Sequence, residues 1–210
     1  MKVISTNLGK PTKIVWNGKE TLTGIYKYPI DEPLYLDKED VKHDSVVDRK
    51  HHGGTYKACY LFSSDNYAYW KERYPLLNWN WGMFGENLTL YGLDESQLKI
   101  GSIYKLGTAL VQITQPREPC YKLGIRFNDQ SILKQFIDHG RPGTYVRVLE
   151  PGKVVMGDSM ELVKESENPL TIQAFYTLLF AKTKDKQVLK WAIDNETLPQ
   201  GKRKKLEKWA

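Results

Sequence analysis

The sequence predicts a mainly β fold: a closed or nearly closed β-barrel with short flanking helices, followed by a small C-terminal module of three helices. Three observations predict it. Short β-type runs cut by turn residues recur from the N-terminus to about residue 163, no alternation of strand and long helix marks a parallel α/β sheet, and after Pro169 the pattern turns helical. The expected division is a barrel domain over residues 1–165 and a helical domain over 166–210.

Taken in order, strands are expected over runs cut by turn residues, among them Lys2–Thr6, Lys13–Trp16, Thr23–Lys27, Leu34–Leu36 and Ala58–Phe62. Ser63, Ser64 and Asp65 offer N-caps to a helix over Asn66–Tyr74, where Tyr67, Tyr69, Trp70 and Tyr74 include helical spacings before Pro75. Strands resume over Asn87–Leu90, Ser102–Leu106 and Ala109–Thr114, the last two joined by a hairpin through Gly107-Thr108. In the last, Val111 and Ile113 share a face opposite Leu110, Gln112 and Thr114. A helix over Ser131–His139 carries the stripe Ile132, Leu133, Phe136 and Ile137, with Gly140 as its left-handed C-cap. Thr144–Leu149, a turn at Glu150-Pro151-Gly152-Lys153 and Ser159–Val163 complete the β part.

The three terminal helices are read from their apolar faces: Ile172, Phe175, Tyr176 and Leu179; then Val188, Leu189 and Ala192; then a segment after Pro199 that ends at Leu206 and Trp209. Lys202, Arg203, Lys204, Lys205 and Lys208 make this end basic. A solvated helix face accounts for such a run, and a docking surface for an acidic partner is the alternative.

Composition narrows the function. Of 210 residues, 40% are hydrophobic and 12% aromatic, which excludes a disordered chain. Lys and Arg number 31 against 25 Asp and Glu, a net charge of +6 that is basic without being extreme, so stable nucleic-acid binding is not expected. No run has the length of apolar residues a membrane helix requires, and residues 1–5 lead straight into strand-like sequence, so a soluble, cytoplasmic protein is expected. With two cysteines and four histidines, neither a disulfide framework nor a Cys-rich zinc site can be built, and a reducing compartment fits.

Chemistry concentrates in three clusters. In Gln115-Pro116-Arg117-Glu118-Pro119-Cys120-Tyr121-Lys122 the two prolines fix their own φ and hold Gln115 and Glu118 away from helix, presenting the Cys120 thiol on extended backbone. If that extension continues, Cys120 and Lys122 share a face with Arg117 close by, and such cations favour the thiolate that ligates metals or attacks electrophiles. A buried Cys packing as a small hydrophobe is the bland alternative, and it is the reading adopted for Cys59, which sits in the apolar run Ala58-Cys59-Tyr60-Leu61-Phe62. The second cluster, Arg49-Lys50-His51-His52-Gly53-Gly54, offers exposed N–H groups and cations to an oxyanion, although a Gly-Gly pair is also an ordinary loop. The third is Phe84-Gly85-Glu86-Asn87-Leu88, where Glu86 and Asn87 could bond a heterocycle edge or simply cap a strand.

His-His-Gly-Gly, Phe-Gly-Glu-Asn-Leu and Gln-Pro-Arg-x-Pro-Cys-x-Lys, in this order, resemble the MOSC domain family, and within it the bacterial YiiM type, which also ends in three helices. The resemblance therefore covers nearly the whole chain and implies a MOSC-type β-barrel. It implies a molybdenum cofactor (molybdopterin) with Cys120 as metal ligand and catalytic residue, bound by Arg49, His51, His52, Gly53, Gly54, Glu86, Asn87, Arg117 and Lys122, of which Arg49, His52, Gly53, Gly54, Arg117 and Lys122 are expected to hold its phosphate. It further implies reduction of N-hydroxylated compounds, such as 6-N-hydroxylaminopurine, in detoxification. The sequence lacks an iron–sulfur Cys set and a Gly-x-Gly-x-x-Gly loop, so the electrons are expected from a separate flavin-containing reductase. Two alternatives stay open: a cofactor carrier without turnover, and a Cys-dependent hydrolase in which His51, His52 or His139 is the base. The apparent lack of a helix N-terminus beside Cys120 counts against the hydrolase.

Overall fold

A computed structural model of the chain describes residues 1–45, 47 and 53–210. Its strands are β1 (Lys2–Gly9), β2 (Thr12–Trp16), β3 (Lys19–Thr23), β4 (Lys27–Pro29), β5 (Leu34–Leu36), β6 (Cys59–Ser63), β7 (Leu88–Tyr91), β8 (Ile103–Leu106), β9 (Ala109–Pro116), β10 (Thr144–Glu150), β11 (Gly152–Val154) and β12 (Met160–Lys164). Its α-helices are α1 (Tyr67–Arg73), α2 (Tyr121–Phe127), α3 (Ile132–His139), α4 (Ile172–Phe180), α5 (Lys186–Asp194) and α6 (Gln200–Leu206).

The main sheet has the order β12-β8-β9-β10-β6-β7-β1-β4. Its ends meet. Val3 N–H donates to Asp158 O, Gly157 N–H to Val3 O and Met160 N–H to Met1 O, each at 2.9 Å, and Lys2 bridges Ser159. These bonds join the start of β1 to the chain entering β12, so the two ends of the sheet meet along a short seam and the sheet curls into a nearly closed barrel. Neighbours are antiparallel except β6 and β7, whose parallel pairing requires the crossover that carries α1.

The barrel interior is aliphatic. Leu61, Leu88, Leu90, Val111, Ile113, Val146 and Val148 form one buried cluster that continues into Phe175, Leu178, Leu189 and Leu206 of the terminal helices. Those helices therefore share the barrel's core. Backbone bonds reinforce the seam, from Ile100 N–H to Leu170 O (2.8 Å) and from Ile172 N–H to Leu98 O (2.9 Å). This packing explains why β9 is buried along nearly its whole length: Val111 and Ile113 face the barrel core as expected, and Gln112 and Thr114 on the other face are also covered. A second, aromatic cluster of Phe62, Trp70, Phe84, Phe127 and Phe136 fills the space among α1, α2 and α3.

Three elements differ from expectation. The strand expected over Thr23–Lys27 is the break between β3 and β4. A Cβ on Gly24 would stand 1.6 Å from Ser45 O, so a second segment presses on the backbone there, and Ile25 turns with its N–H on Thr23 Oγ1 (3.2 Å) and its carbonyl accepting from Lys27 N–H (2.9 Å). Glu150–Lys153 is not a free turn, because Gly152–Val154 pairs with Leu34–Leu36 as an antiparallel ribbon. The third difference is α2, taken up below. The expected helices before Pro75 and Gly140 are present, and Gly140 has the left-handed φ of 70° expected of a C-cap. Among the described residues no helix is long and apolar enough to cross a membrane.

Candidate functional site

Cys120 stands where strand gives way to helix. After β9 ends at Pro116, Arg117–Pro119 form a short link and Cys120 keeps extended backbone (φ −134°, ψ 167°) as the N-cap residue of α2. Two corrections follow. The chain turns helical directly after Cys120, so Lys122 reaches the thiol's side from the first helical turn and not by strand alternation, and a helix does begin beside the thiol. The mechanism behind the miss is local: Pro119 fixes the residue before the cap and hides the helix signal of Leu123 and Phe127, which are buried in the aromatic cluster. Cys120 is not in a disulfide and is of intermediate exposure.

Around it lies a pocket lined by Lys27, Asp44, Lys57, Tyr60, Asn87, Arg117, Cys120, Lys122 and Tyr145, floored by Thr23–Ile25 and Phe84–Gly85. Its described charges are four cations against one carboxylate, Asp44. Arg117 is the most constrained of them. Its guanidinium lies 5.4 Å above both the Tyr60 and Phe136 rings, it is buried, and its Nη1 has no hydrogen-bond partner among the described residues. A buried guanidinium with an unmet donor and no described ion pair pays a desolvation cost that an anion in the pocket would offset.

Two phenols complete that wall. Tyr60 donates to Pro142 O at 2.7 Å, and burial raises its pKa well above the usual tyrosine value, with Arg117 opposing. Burial likewise pushes Tyr145 up to about 12, Arg117 again pulling the other way. Both are neutral groups at physiological pH.

On the opposite side the buried ion pair Lys27–Asp44 is held by further bonds: Asp44 Oδ2 accepts from Asn87 Nδ2 (2.9 Å) and its Oδ1 from Gly9 N–H (3.0 Å). Asn87 Oδ1 in turn accepts from Tyr60 N–H (3.2 Å). Asn87 thus lines the pocket but spends both amide atoms on organising it.

Glu86 is not on the pocket wall. Its side chain is fully buried and accepts from Tyr67 Oη, Gly82 N–H (2.9 Å), Phe84 N–H (3.1 Å) and Thr89 Oγ1 (2.9 Å), a brace for the loop that leads into β7. Arg49, His51 and His52 lie outside the described residues. Gly54, with φ 87°, caps the 3₁₀ turn Thr55–Lys57 that carries Lys57 toward the pocket; neither it nor Gly53 lines the described wall. His139, named as a possible base, stacks on Tyr69 with ring centroids 4.0 Å apart and does not line the pocket either. Cys59 is core, and burial drives its thiol up, as expected of a packed cysteine.

Sequence reasoning missed Lys27, Asp44, Lys57, Tyr60 and Tyr145. They come from four separate stretches of chain and carry no motif; only the barrel brings them to one mouth. The arrangement can hold an anion at Arg117 and a soft metal at the Cys120 sulfur. Among the described residues no three His, Cys, Asp or Glu side chains converge on a metal, so a metal here would bring ligands of its own and take a protein sulfur from Cys120.

The MOSC domain matches residues 48–161. YflK of Bacillus subtilis is 38% identical over 81% of this chain and 77% of its own length. A protein named reductase from Gibberella moniliformis is 35% identical over 70% of this chain, within 27% of its length. The crystal structure of YiiM from Geobacillus stearothermophilus superposes with a TM-score of 0.82 at 30% identity, covering 100% of this chain and 99% of that one.

Proposed function

Because the chain belongs to the MOSC domain family, which is associated with the molybdenum cofactor, we propose that it binds that cofactor through Cys120 and reduces N-hydroxylated compounds to amines. The observation that carries this reading is the placement of Cys120 and the unpartnered Arg117 Nη1 on one pocket wall. The residues fit the group: a dithiolene-held molybdenum needs few protein ligands and a soft one, and a pterin phosphate needs buried cations.

Cys120 supplies the sulfur ligand, and Arg117 takes the phosphate with its free donor, supported by the positive field of Lys57 and Lys122. The Tyr60 and Phe136 rings, each 5.4 Å from the guanidinium, hold it and help to exclude water from it. When bound, the cofactor supplies the two-electron redox change and an acceptor for the substrate's oxygen. In the overall reaction the N–O bond breaks, two electrons and two protons enter, and amine and water leave. N-hydroxylated purines such as 6-N-hydroxylaminopurine are the proposed substrates, in detoxification, with a separate flavin-containing reductase as electron donor. The relative named reductase supports the reaction class.

Protein made in cells that synthesise the cofactor should carry roughly one molybdenum per chain by elemental analysis. It should convert 6-N-hydroxylaminopurine to adenine when given a flavin reductase. Metal-free protein after anaerobic purification, or loaded protein inert with every donor, sinks the proposal.

A further inference from the structure

The basic C-terminal end is not all solvated face. Lys202, in the first turn of α6, turns back across the molecule: its Nζ donates to Gln115 Oε1 at 3.0 Å and to Glu118 Oε1 at 2.7 Å, and lies 5.4 Å from the centre of the Phe175 ring. Its side chain is 19% exposed, unlike the solvent-facing lysine of the pair Lys190–Asp194 at 67%. Gln115 and Glu118 bracket the Pro116–Arg117 step. One ammonium therefore grips the link on both sides of Arg117, three residues before Cys120.

The anchor itself is firm. Leu198 and Leu206, on either side of Lys202 in sequence, are buried in the barrel's own core, and Lys202 N–H closes the helix start on Pro199 O at 2.8 Å. A second side chain of the same module, Tyr176 of α4, is buried in the aromatic cluster that includes Phe136, the ring on which Arg117 packs, and its hydroxyl has no partner among the described residues.

We propose that Lys202 is a positioning residue, through which the C-terminal helices hold the Pro116–Cys120 link and so set the exposure of the Cys120 thiol and the aim of Arg117. This rests on the reading of Cys120 as the ligand, but the clamp exists without cofactor and can be tested without it. Gln115 and Pro116 are also paired with Tyr145 and Thr144 of β10, but Pro116 and Pro119 cannot donate backbone bonds, so beyond β9 the Lys202–Glu118 bond adds an attachment the backbone does not supply.

The test is the rate of Cys120 alkylation by iodoacetamide in cofactor-free full-length protein, with buried Cys59 as the internal marker of an intact barrel. Lys202→Met should raise the Cys120 rate about fivefold by letting the link open, with Cys59 still protected and the unfolding midpoint nearly unchanged. Lys202→Arg should restore the wild-type rate. Glu118→Gln, which leaves α6 intact, should move the rate in the same direction and keeps the test open if Lys202→Met fails to fold. Equal Cys120 rates in wild type, Lys202→Met and Glu118→Gln overturn the proposal, and so does exposure of Cys59 together with Cys120, which would make Lys202 merely structural. A rate increase in protein that never binds molybdenum defeats the cofactor reading and keeps the clamp; unchanged rates in molybdenum-binding protein do the reverse.

Discussion

Trp16 stacks on Tyr121, the residue directly after Cys120, with ring centroids 4.9 Å apart and planes 24° from parallel. The contact ties the β2–β3 hairpin, which otherwise pairs only with itself, to the helix that presents the thiol. An isolated two-stranded ribbon is marginal in water, so this stack contributes to holding the hairpin beside the pocket.

Trp16→Ala should therefore cost about 1 kcal/mol in urea unfolding. Its sharper signature is local: hydrogen exchange in Thr12–Thr23 should accelerate while β9 and β10 stay protected. Unchanged exchange in the hairpin would show that the stack does not hold it.

The two cysteines should separate cleanly. Cys120→Ala should abolish molybdenum retention and N-hydroxyl reduction with the fold intact, since a half-exposed sulfur leaves no large core void. Cys59→Ala should leave turnover intact and cost about 1 kcal/mol of stability from lost packing. Metal content, activity and a denaturation curve for each variant decide it, and full activity in Cys120→Ala would remove the thiol from the mechanism.

Arg117→Met offers a contrast between stability and binding. Removing a buried charge whose Nη1 is unpaired should leave the cofactor-free protein at least as stable as wild type, while pterin retention falls at least about tenfold. Thermal melting of the free protein and fluorescence of the released, oxidised pterin measure the two. A large drop in melting temperature with retention unchanged would mark Arg117 as a structural residue.

Glu86 predicts a pH dependence of stability. Burial raises its carboxyl above the usual 4.5, with the bonds from Tyr67, Thr89 and Gly82 opposing. The folded state then keeps the proton where the unfolded state has lost it, so stability is greatest at or below that value and declines as pH rises through the window above it. Glu86→Gln removes this slope, so the gap in urea midpoint between wild type and variant should narrow from pH 4.5 upward. A widening gap would mean that the converging donors outweigh burial and hold the group charged.

Much of the β framework is legible in the sequence because it rests on local signals: period-two patterns, Gly and Pro punctuation, the Gly140 cap. Two of the differences come from tertiary contacts overriding local pattern, and the third from a local proline signal that masks a helix start. Gly24 breaks a strand-like run because Ser45 presses on it, Gly152 joins a ribbon because Leu36 lies opposite, and α2 begins where Pro119 seemed to enforce extension. Glu86 looked like a ligand because it is polar in a glycine loop; its four donors lie on the loop, on α1 and on β7, and only folding brings them together.

By itself the sequence determined the chemistry available: a thiol directly after two closely spaced prolines with cations beside it, a core cysteine distinct from it, and a barrel with three helices behind. These follow from residue type and short spacing, which act over a few bonds. Tertiary structure alone decided which side chains meet. It brought Lys27, Asp44, Tyr60 and Tyr145 to the mouth occupied by Cys120, turned Glu86 inward, and carried Lys202 across 84 positions to Glu118. Barrel closure and core packing set those distances, and both depend on strands far apart in the chain, so no local pattern encodes them.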